Sequence, residues 1–349
     1  MIWDRRAPSG RRRAGPRSWV AALVCVALLT WSGGQVMRSH GGDSLGVLCS
    51  SMEELCRQWA EAFTRHSGIP VSMMRVSSRE ALARIGRGEG RDEDVWHGGP
   101  AELYELARQR GLLAPYVPAS AVFVPVEDRD PGGAWTGVYR GNLGFCSNPA
   151  MLQEWGVQVP RSWNDLMDPR LRGRVSMPNP ATSGTGTTIV GVQSHRLGDP
   201  EGALHWLAML DRQVLQYTRS GMAPAGVVAR GEAAVAITFT QHCVRQIEAG
   251  RPLVVSYPRE GTGMEVGAVA VLHSARHEVW ARAYVDFVTS RIGQEIGTDQ
   301  RVPQLPTRTD MLADARLMLP PDVRLVSSSV RDAAATEDLV ARFASKVRP

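Results

Sequence analysis

The chain has 349 residues, of which 43% are hydrophobic and 21% are charged, and this composition is typical of a globular protein large enough for two lobes. The net charge of +5 comes from the start of the chain, because residues 1–40 hold seven arginines and one acid, and the remainder sums to −1. A nearly neutral body gives no electrostatic support for nucleic-acid binding, so we expect no nucleic-acid partner.

An uncharged apolar run, residues 19–31, follows the arginine-rich start. Thirteen residues are short for a membrane span and typical of the apolar region of a signal peptide. We therefore predict that residues 1–40 are a signal peptide and that the protein is periplasmic. An uncleaved N-terminal anchor is the alternative, because no clear Ala-x-Ala cleavage site follows.

Four cysteines, Cys49, Cys56, Cys146 and Cys243, lie beyond this segment. In an oxidising compartment an even number permits two disulfides, in any of three pairings. Buried free thiols are the alternative.

The predicted elements alternate between short apolar runs and amphipathic segments, which is typical of α/β architecture. Residues 45–49 predict a buried first strand, and Ser51 with Glu54 has the spacing of a capping box that begins the next helix. Residues 71–76 and 94–96 predict two further strands, each followed by a turn rich in Ser or Gly. Such turns line the carboxyl edge of a parallel sheet, where ligands bind.

An extended stretch at residues 137–145 is expected to carry the chain into a second lobe, and residues 266–272 predict the return crossing. The predicted lobes are residues 44–140 with 268–349, and residues 141–267.

The run at residues 178–188, PNPATSGTGTT, is the most distinctive turn of the second lobe. Glycines and hydroxyls placed just before a predicted helix, with its unpaired N–H groups and positive dipole end, favour an anion. The candidate ligand residues here are Thr182, Ser183, Gly184 and Thr185, and a merely capped helix start is the alternative. The run is not a nucleotide-binding P-loop, because no Gly-Lys-Ser/Thr follows.

Other turns carry further candidates, each with a plainer alternative. The hydroxyls of Ser50, Ser51 and Ser78 bind ligand or only cap helices. The backbone from Trp96 through Gly99, with Trp96 and Gly98 as the named candidates, approaches a ligand or only makes a tight turn. The candidates of the later turns are Arg219 with Ser220, suited to a bidentate grip on phosphate, and Glu260, suited to a ligand hydroxyl or amine.

Catalytic and metal-binding patterns are weak in this sequence. The histidines have no paired ligand spacing, no Gly-x-Ser-x-Gly elbow is present, and Cys243 beside His242 is only an adjacency. We therefore expect no catalytic residue, no metal and no cofactor.

Five motifs taken together carry a family resemblance. They are residues 49–56 (CSSMEELC), 94–99 (DVWHGG), 179–185 (NPATSGT), 216–221 (QYTRSG) and 260–267 (EGTGMEVG). In these the chain resembles extracellular solute-binding proteins of ABC importers, in the ferric-iron-type subfamily, and within it the branch that binds hexose phosphates or phosphonates.

The resemblance implies a type 2 periplasmic binding fold of the α/β class, with two lobes, each a mixed sheet flanked by helices, and a ligand cleft between them. It also implies a monomer that carries a small anionic solute, a phosphorylated sugar or organophosphonate, to the permease subunits of an importer. Iron-binding members have adjacent tyrosines where this chain has Thr240-Gln241-His242, and sugar-phosphate binders have His-Asp in place of Gln241-His242. We expect Gln241 and His242 to face the ligand. The alternatives are a ferric-iron-binding protein, a sensing subunit for a membrane kinase, and an enzyme acting on phosphate esters.

Overall fold

The computed structural model describes residues 43–89, 92–298, 303–326 and 332–347, and the described residues from Ser44 onward form one compact unit. The predicted signal peptide lies outside the described residues. Within those ranges, no helix combines the length and apolar character needed to cross a membrane.

Eleven strands are formed by the described residues. They are β1 (Leu45–Cys49), β2 (Val71–Arg75), β3 (Val95–Pro100), β4 (Leu113–Ala114), β5 (Thr136–Ser147), β6 (Val175–Pro178), β7 (Val214–Thr218), β8 (Val235–Phe239), β9 (Val254–Ser256), β10 (Met264–Leu272) and β11 (Leu305–Pro306).

Eleven α-helices accompany these strands in the described ranges. They are α1 (Glu53–Ser67), α2 (Ser78–Gly86), α3 (Ala101–Gln109), α4 (Pro149–Glu154), α5 (Gly184–Leu197), α6 (Pro200–Asp211), α7 (Ala223–Ala229), α8 (Thr240–Glu248), α9 (Glu278–Thr289), α10 (Arg291–Thr298) and α11 (Ala333–Lys346).

The strands follow the order β2-β1-β3-β10-β5-β8-β6-β7, with β4 on β10 and both β9 and β11 on β5. The β1 strand pairs in parallel with β2 and β3, and β6 pairs in parallel with β7 and β8. We call the part built on β1–β4, β10 and β11 the first lobe and the part built on β6–β9 the second lobe. The carboxyl ends of both sets of parallel strands lead into helices, which places two series of strand-to-helix turns in the molecule.

The β5 strand joins the two lobes. Its residues 136–142 pair with β10, and its residues 143–147 pair with β8 and β9. The chain returns next to this point, because the amide of Leu143 donates to the carbonyl of Gly263 just before β10 begins. The exact residue boundaries of the lobes stay a prediction.

Each lobe has its own core. In the first lobe, Trp96 and Tyr104 pack on one face of the sheet and Trp59 and Tyr284 on the other. In the second lobe, Trp163 anchors a cluster that also takes in Leu339, Val340 and Phe343 of α11. The last helix of the chain therefore packs its apolar face into the core of the second lobe.

Both disulfides are formed, Cys49 with Cys56 and Cys146 with Cys243. The first joins the end of β1 to α1, and the second joins β5 to α8. Each disulfide thus fixes a helix start to the strand beside it.

Two local predictions about helix starts were wrong. The capping box of Ser51 and Glu54 is not formed, because α1 begins at Glu53 and the Ser51 hydroxyl instead accepts from Nε2 of Gln304 at 3.4 Å. The α5 helix begins at Gly184, before the apolar residues rather than with them. Consequently Thr187 and Thr188 lie within the helix, where their hydroxyls donate to the carbonyls of Ser183 and Gly184 at 3.3 Å.

Candidate ligand-binding site

A cavity of about 50 Å³ lies between the two lobes. A water molecule needs about 10–15 Å³ on this measure, so the cavity takes a group of roughly four water-sized atoms. That is the size of a tetrahedral oxyanion. Its lining consists of Ser50, Ser51, Met52, Arg75, Ser77, Ser78, Gly99, Pro100, Tyr139, Ser183, Gly184, Thr185, Ser220, Gly221, Met222, Phe239, Gln241, His242, Glu265 and Gln304.

Five helices of eight or more residues begin at this cavity. The first lobe contributes the starts of α1, α2 and α3, and the second lobe those of α5 and α8. The first N–H groups of a helix lack partners within the helix and carry the positive end of its dipole. Their convergence favours an anion in the cavity.

The first-lobe wall is held by hydrogen bonds within its own lobe. Nε1 of Trp96 donates to the hydroxyl of Ser50 at 3.0 Å, and the ring of Trp96 stacks on Tyr104. The amide of Gly99 donates to the hydroxyl of Tyr139 at 3.0 Å. Gly99 has a φ of 85°, and a Cβ there would lie 2.5 Å from Cβ of Ser78, so this turn requires glycine.

Arg75, the last residue of β2, supplies a guanidinium to the cavity. Its Nε donates to the carbonyl of Ser51, and its Nη2 reaches across the cleft to the hydroxyl of Ser220, both at 3.3 Å. Among the residues that the structure describes, Arg75 forms no ion pair. Its charge is therefore available to an anion in the cavity.

Glu265, at the start of β10, is a buried carboxyl in the same cavity. Burial raises its pKa to about 8. A hydrogen bond from Tyr139 acts to lower this pKa, and the nearby Glu102 carboxyl acts to raise it. Burial also raises the pKa of Tyr139 well above its ordinary value. Both groups are thus neutral near pH 7, and the protonated Glu265 offers a donor where an ionised one would repel an anion.

The second-lobe wall exposes polar atoms that have no partner. Oε1 of the buried Gln241 and Nδ1 of His242 make no hydrogen bond within the described part of the chain. Ser183 precedes α5 without capping it through its side chain. Burial, with the guanidiniums of Arg245 and Arg75, lowers the pKa of His242 to about 3, so its ring is neutral.

The two walls meet closely at Gly184. A Cβ on Gly184 would lie 2.5 Å from Cδ of Pro100 and nearer still to the hydroxyl of Ser78, both in the first lobe. Only glycine allows this approach, so Gly184 marks where the lobes touch.

A larger chamber of about 550 Å³ adjoins the cavity. It shares five lining residues with the cavity, which are Met52, Arg75, Ser220, Met222 and His242. A molecule with one group in the cavity could extend its other atoms into this chamber.

Nine of the fourteen residues proposed from sequence line the cavity: Ser50, Ser51, Ser78, Ser183, Gly184, Thr185, Ser220, Gln241 and His242.

The other five candidates lie outside the cavity. Trp96 supports Ser50 from behind, and the carbonyl of Gly98 accepts from the Tyr104 hydroxyl. The hydroxyl of Thr182 is buried without a partner among the described residues, and Arg219 is exposed. Glu260 accepts a hydrogen bond from Ser162, away from the cavity.

Five polar residues of the lining were not among the fourteen candidates: Arg75, Ser77, Tyr139, Glu265 and Gln304. Ser77 lies in a Ser-rich turn beside a candidate, whereas the other four reach the cavity through pairing between distant segments. The one available signal was an arginine at the end of a predicted strand, directly before Ser77-Ser78.

No group of three or more His, Cys, Asp or Glu side chains suited to a metal is present among residues 43–89, 92–298, 303–326 and 332–347.

The comparisons with known proteins agree with this geometry. Residues 100–323 match the family model of the bacterial extracellular solute-binding proteins. A Haemophilus influenzae protein, itself uncharacterised, is 31% identical over 94% of this chain and 98% of its own. The Fe(3+)-binding periplasmic protein of Serratia marcescens is 24% identical over 79% of this chain and 81% of its own.

A solved structure carries the comparison further. The periplasmic binding protein AfuA from Actinobacillus pleuropneumoniae, with fructose 6-phosphate bound, superposes with a TM-score of 0.83 at 29% identity, over 87% of this chain and 98% of that one.

The chain belongs to the bacterial extracellular solute-binding protein family. The two-lobed α/β fold expected from the sequence is confirmed, and the protein is a periplasmic solute-binding protein of the ABC importer type.

Proposed function

We propose that the protein captures a small organic solute bearing a phosphate or phosphonate group and delivers it to the permease of an ABC importer. The oxyanion lies in the 50 Å³ cavity, and the rest of the solute extends into the adjoining chamber. The export signal at residues 1–40 and a monomeric state belong to the same proposal.

The observation that carries the proposal is the convergence of five helix starts on a cavity that also contains Arg75. Backbone N–H groups, hydroxyls and a guanidinium are all donors, and a group with several acceptor oxygens satisfies them together. The neutral state of Glu265 and Tyr139 adds donors without adding negative charge. The likeness to AfuA, solved with a sugar phosphate, supports the same class of ligand.

Capture needs no bond to be made or broken. Closing the lobes removes the donors from water around the oxyanion, which strengthens each hydrogen bond. A closed protein then presents a different surface to the permease from an open one.

The test is calorimetric titration with fructose 6-phosphate, 2-aminoethylphosphonate and inorganic phosphate, on the wild type and two arginine variants. Hydrogen bonds to charged groups contribute about 1.5–3 kcal/mol, so Arg75→Ala should weaken binding by about 10- to 100-fold. The matched control is Arg219→Ala, an exposed arginine outside the cavity, which should leave the affinity unchanged.

Failure of all three probes to bind would contradict the proposal, as would a loss of affinity in Arg219→Ala but not in Arg75→Ala. Ferric iron is the alternative cargo, since the Serratia relative is named for it. Of Tyr104, Tyr139 and Tyr217, however, only Tyr139 lines the cavity. Visible charge-transfer absorbance on adding ferric citrate would favour iron over an organic anion.

A further inference from the structure

Arg79, one residue beyond the cavity-lining Ser78, makes contacts with both lobes. It lies in the first turn of α2 in the first lobe. Its Nε donates to the carbonyl of Ala181 at 3.0 Å and its Nη1 to the hydroxyl of Thr187 at 3.2 Å, both in the second lobe. These two contacts bracket the turn at residues 183–185 that lines the cavity.

The carboxylate that accompanies Arg79 comes from the last helix. Nη1 and Nη2 of Arg79 donate to the two carboxylate oxygens of Glu337 on α11, each at 2.8 Å. The side chains are 14% and 30% exposed, so water screens this pair only in part. One planar guanidinium thus satisfies a carbonyl, a hydroxyl and a carboxylate at once.

The α11 helix packs mainly on the second lobe, although Ala333 at its start lies in a core cluster of the first lobe. Leu339, Val340 and Phe343 lie in the second-lobe core, and Arg342 pairs with Glu201 of α6. Asp332, directly before the helix, pairs with Nε2 of His195 on α5 at 2.9 Å. Glu337 therefore lies on a helix held mainly by the second lobe, and its pair with Arg79 links α2 of the first lobe to that helix.

We propose that Arg79 is a positioning residue that clasps the closed state and orients the anion-binding turn, with Glu337 of the C-terminal helix as its anchor. Every second-lobe contact of Arg79 breaks if the lobes separate. The clasp lies outside the cavity and touches no ligand, so it stabilises closure whichever solute is bound.

The clasp raises affinity by raising the fraction of protein that is already competent to bind. Apparent dissociation constants scale inversely with that fraction. Because the clasp needs no ligand, the ligand-free protein should populate the closed form measurably, and loss of the clasp should shift it toward the open form.

The experiment compares Arg79→Ala, Arg79→Lys and Glu337→Gln with the wild type by small-angle X-ray scattering of the ligand-free, full-length mature protein. Both Arg79→Ala and Glu337→Gln should enlarge the radius of gyration. The value for Arg79→Lys should lie between those of the wild type and Arg79→Ala, because a lysine keeps the positive charge but cannot make the bidentate contact of the guanidinium. The matched control is Arg342→Ala, which removes an ion pair of the same helix within one lobe and should scatter like the wild type.

Titration with fructose 6-phosphate gives the second readout. The affinity should fall about tenfold in Arg79→Ala, because the fraction of the protein that is competent to bind falls. Since scattering needs no probe, failure of the proposed cargo and failure of the clasp are distinguishable. Wild-type scattering from both Arg79→Ala and Glu337→Gln would overturn the clasp, and so would an equal opening in Arg342→Ala.

Discussion

On the first-lobe wall of the cavity, the hydroxyls of Ser50 and Ser51 already accept hydrogen bonds from Trp96 and Gln304 of the same lobe. On the second-lobe wall, Oε1 of Gln241 and Nδ1 of His242 have no partner within the described residues. Buried polar atoms without partners cost free energy that a hydrogen bond from a ligand recovers. These two hydroxyls of the first wall are therefore positioned before a solute arrives, whereas the named atoms of Gln241 and His242 on the second wall can still gain a partner.

The disulfides behind the two walls offer the largest test of this contrast. The Cys146–Cys243 bond spans 97 residues and the Cys49–Cys56 bond spans 7. If a disulfide stabilises by lowering the entropy of the unfolded chain, replacing both cysteines of the long loop by alanine should lower the free energy of unfolding by about 4–5 kcal/mol. The same replacement in the short loop should lower it by about 2–3 kcal/mol. Urea unfolding measures both, and equal losses would contradict the account.

A smaller effect is expected from Gly184, where the walls touch. A methyl group at Gly184 would be too close to Ser78 and Pro100 of the first lobe. Such overpacking destabilises by about 1–3 kcal/mol, and here it affects the closed state only. Calorimetry of Gly184→Ala with fructose 6-phosphate should show about 10- to 100-fold weaker binding. The control is Gly86→Ala on α2, where the nearest atom lies 3.9 Å from the added Cβ. Equal affinities for the two variants would show that the walls need not meet at Gly184.

The pH dependence of stability has opposite signs on the two walls. Glu265 has a folded pKa of about 8 against an ordinary 4.5, so between these values the unfolded chain loses a proton that the fold keeps. Stability falls as pH rises through this window, and Glu265→Gln should gain on the wild type from pH 5 to pH 8.

For His242 the pH dependence of stability has the opposite sign. Its folded pKa of about 3 lies below the ordinary 6.5, so between them the unfolded chain takes up a proton that the fold refuses. Stability falls as pH drops, and His242→Gln should gain on the wild type from pH 7 to pH 4. Urea unfolding at a series of pH values measures how the free energy of unfolding changes with pH in each case. Each unit of pKa shift corresponds to about 1.4 kcal/mol. Parallel slopes would refute the different protonation of the walls.

Nine of the candidate residues line the cavity, and their positions could be predicted because the turns that carry them are local. Ser50 and Ser51 follow a buried strand, and Ser183 to Thr185 lie at the start of a helix with apolar residues, so neighbouring residues determine where they lie. Arg75 and Glu265 were missed because their position depends on which strands pair. Arg219 differs, since its place beside hydroxyls suggested an anion site, whereas the fold leaves its side chain exposed and outside the cavity lining.

The small volume of the inner cavity has a kinetic consequence. An oxyanion bound there would contact donors of both lobes, which meet at Gly184, so the hydrogen bonds from one wall are lost when the lobes separate. Dissociation is then gated by the opening rate of the protein, so solutes of unequal affinity should share one upper limit on their release rate. The permease would gain a cargo whose residence time is set by the carrier.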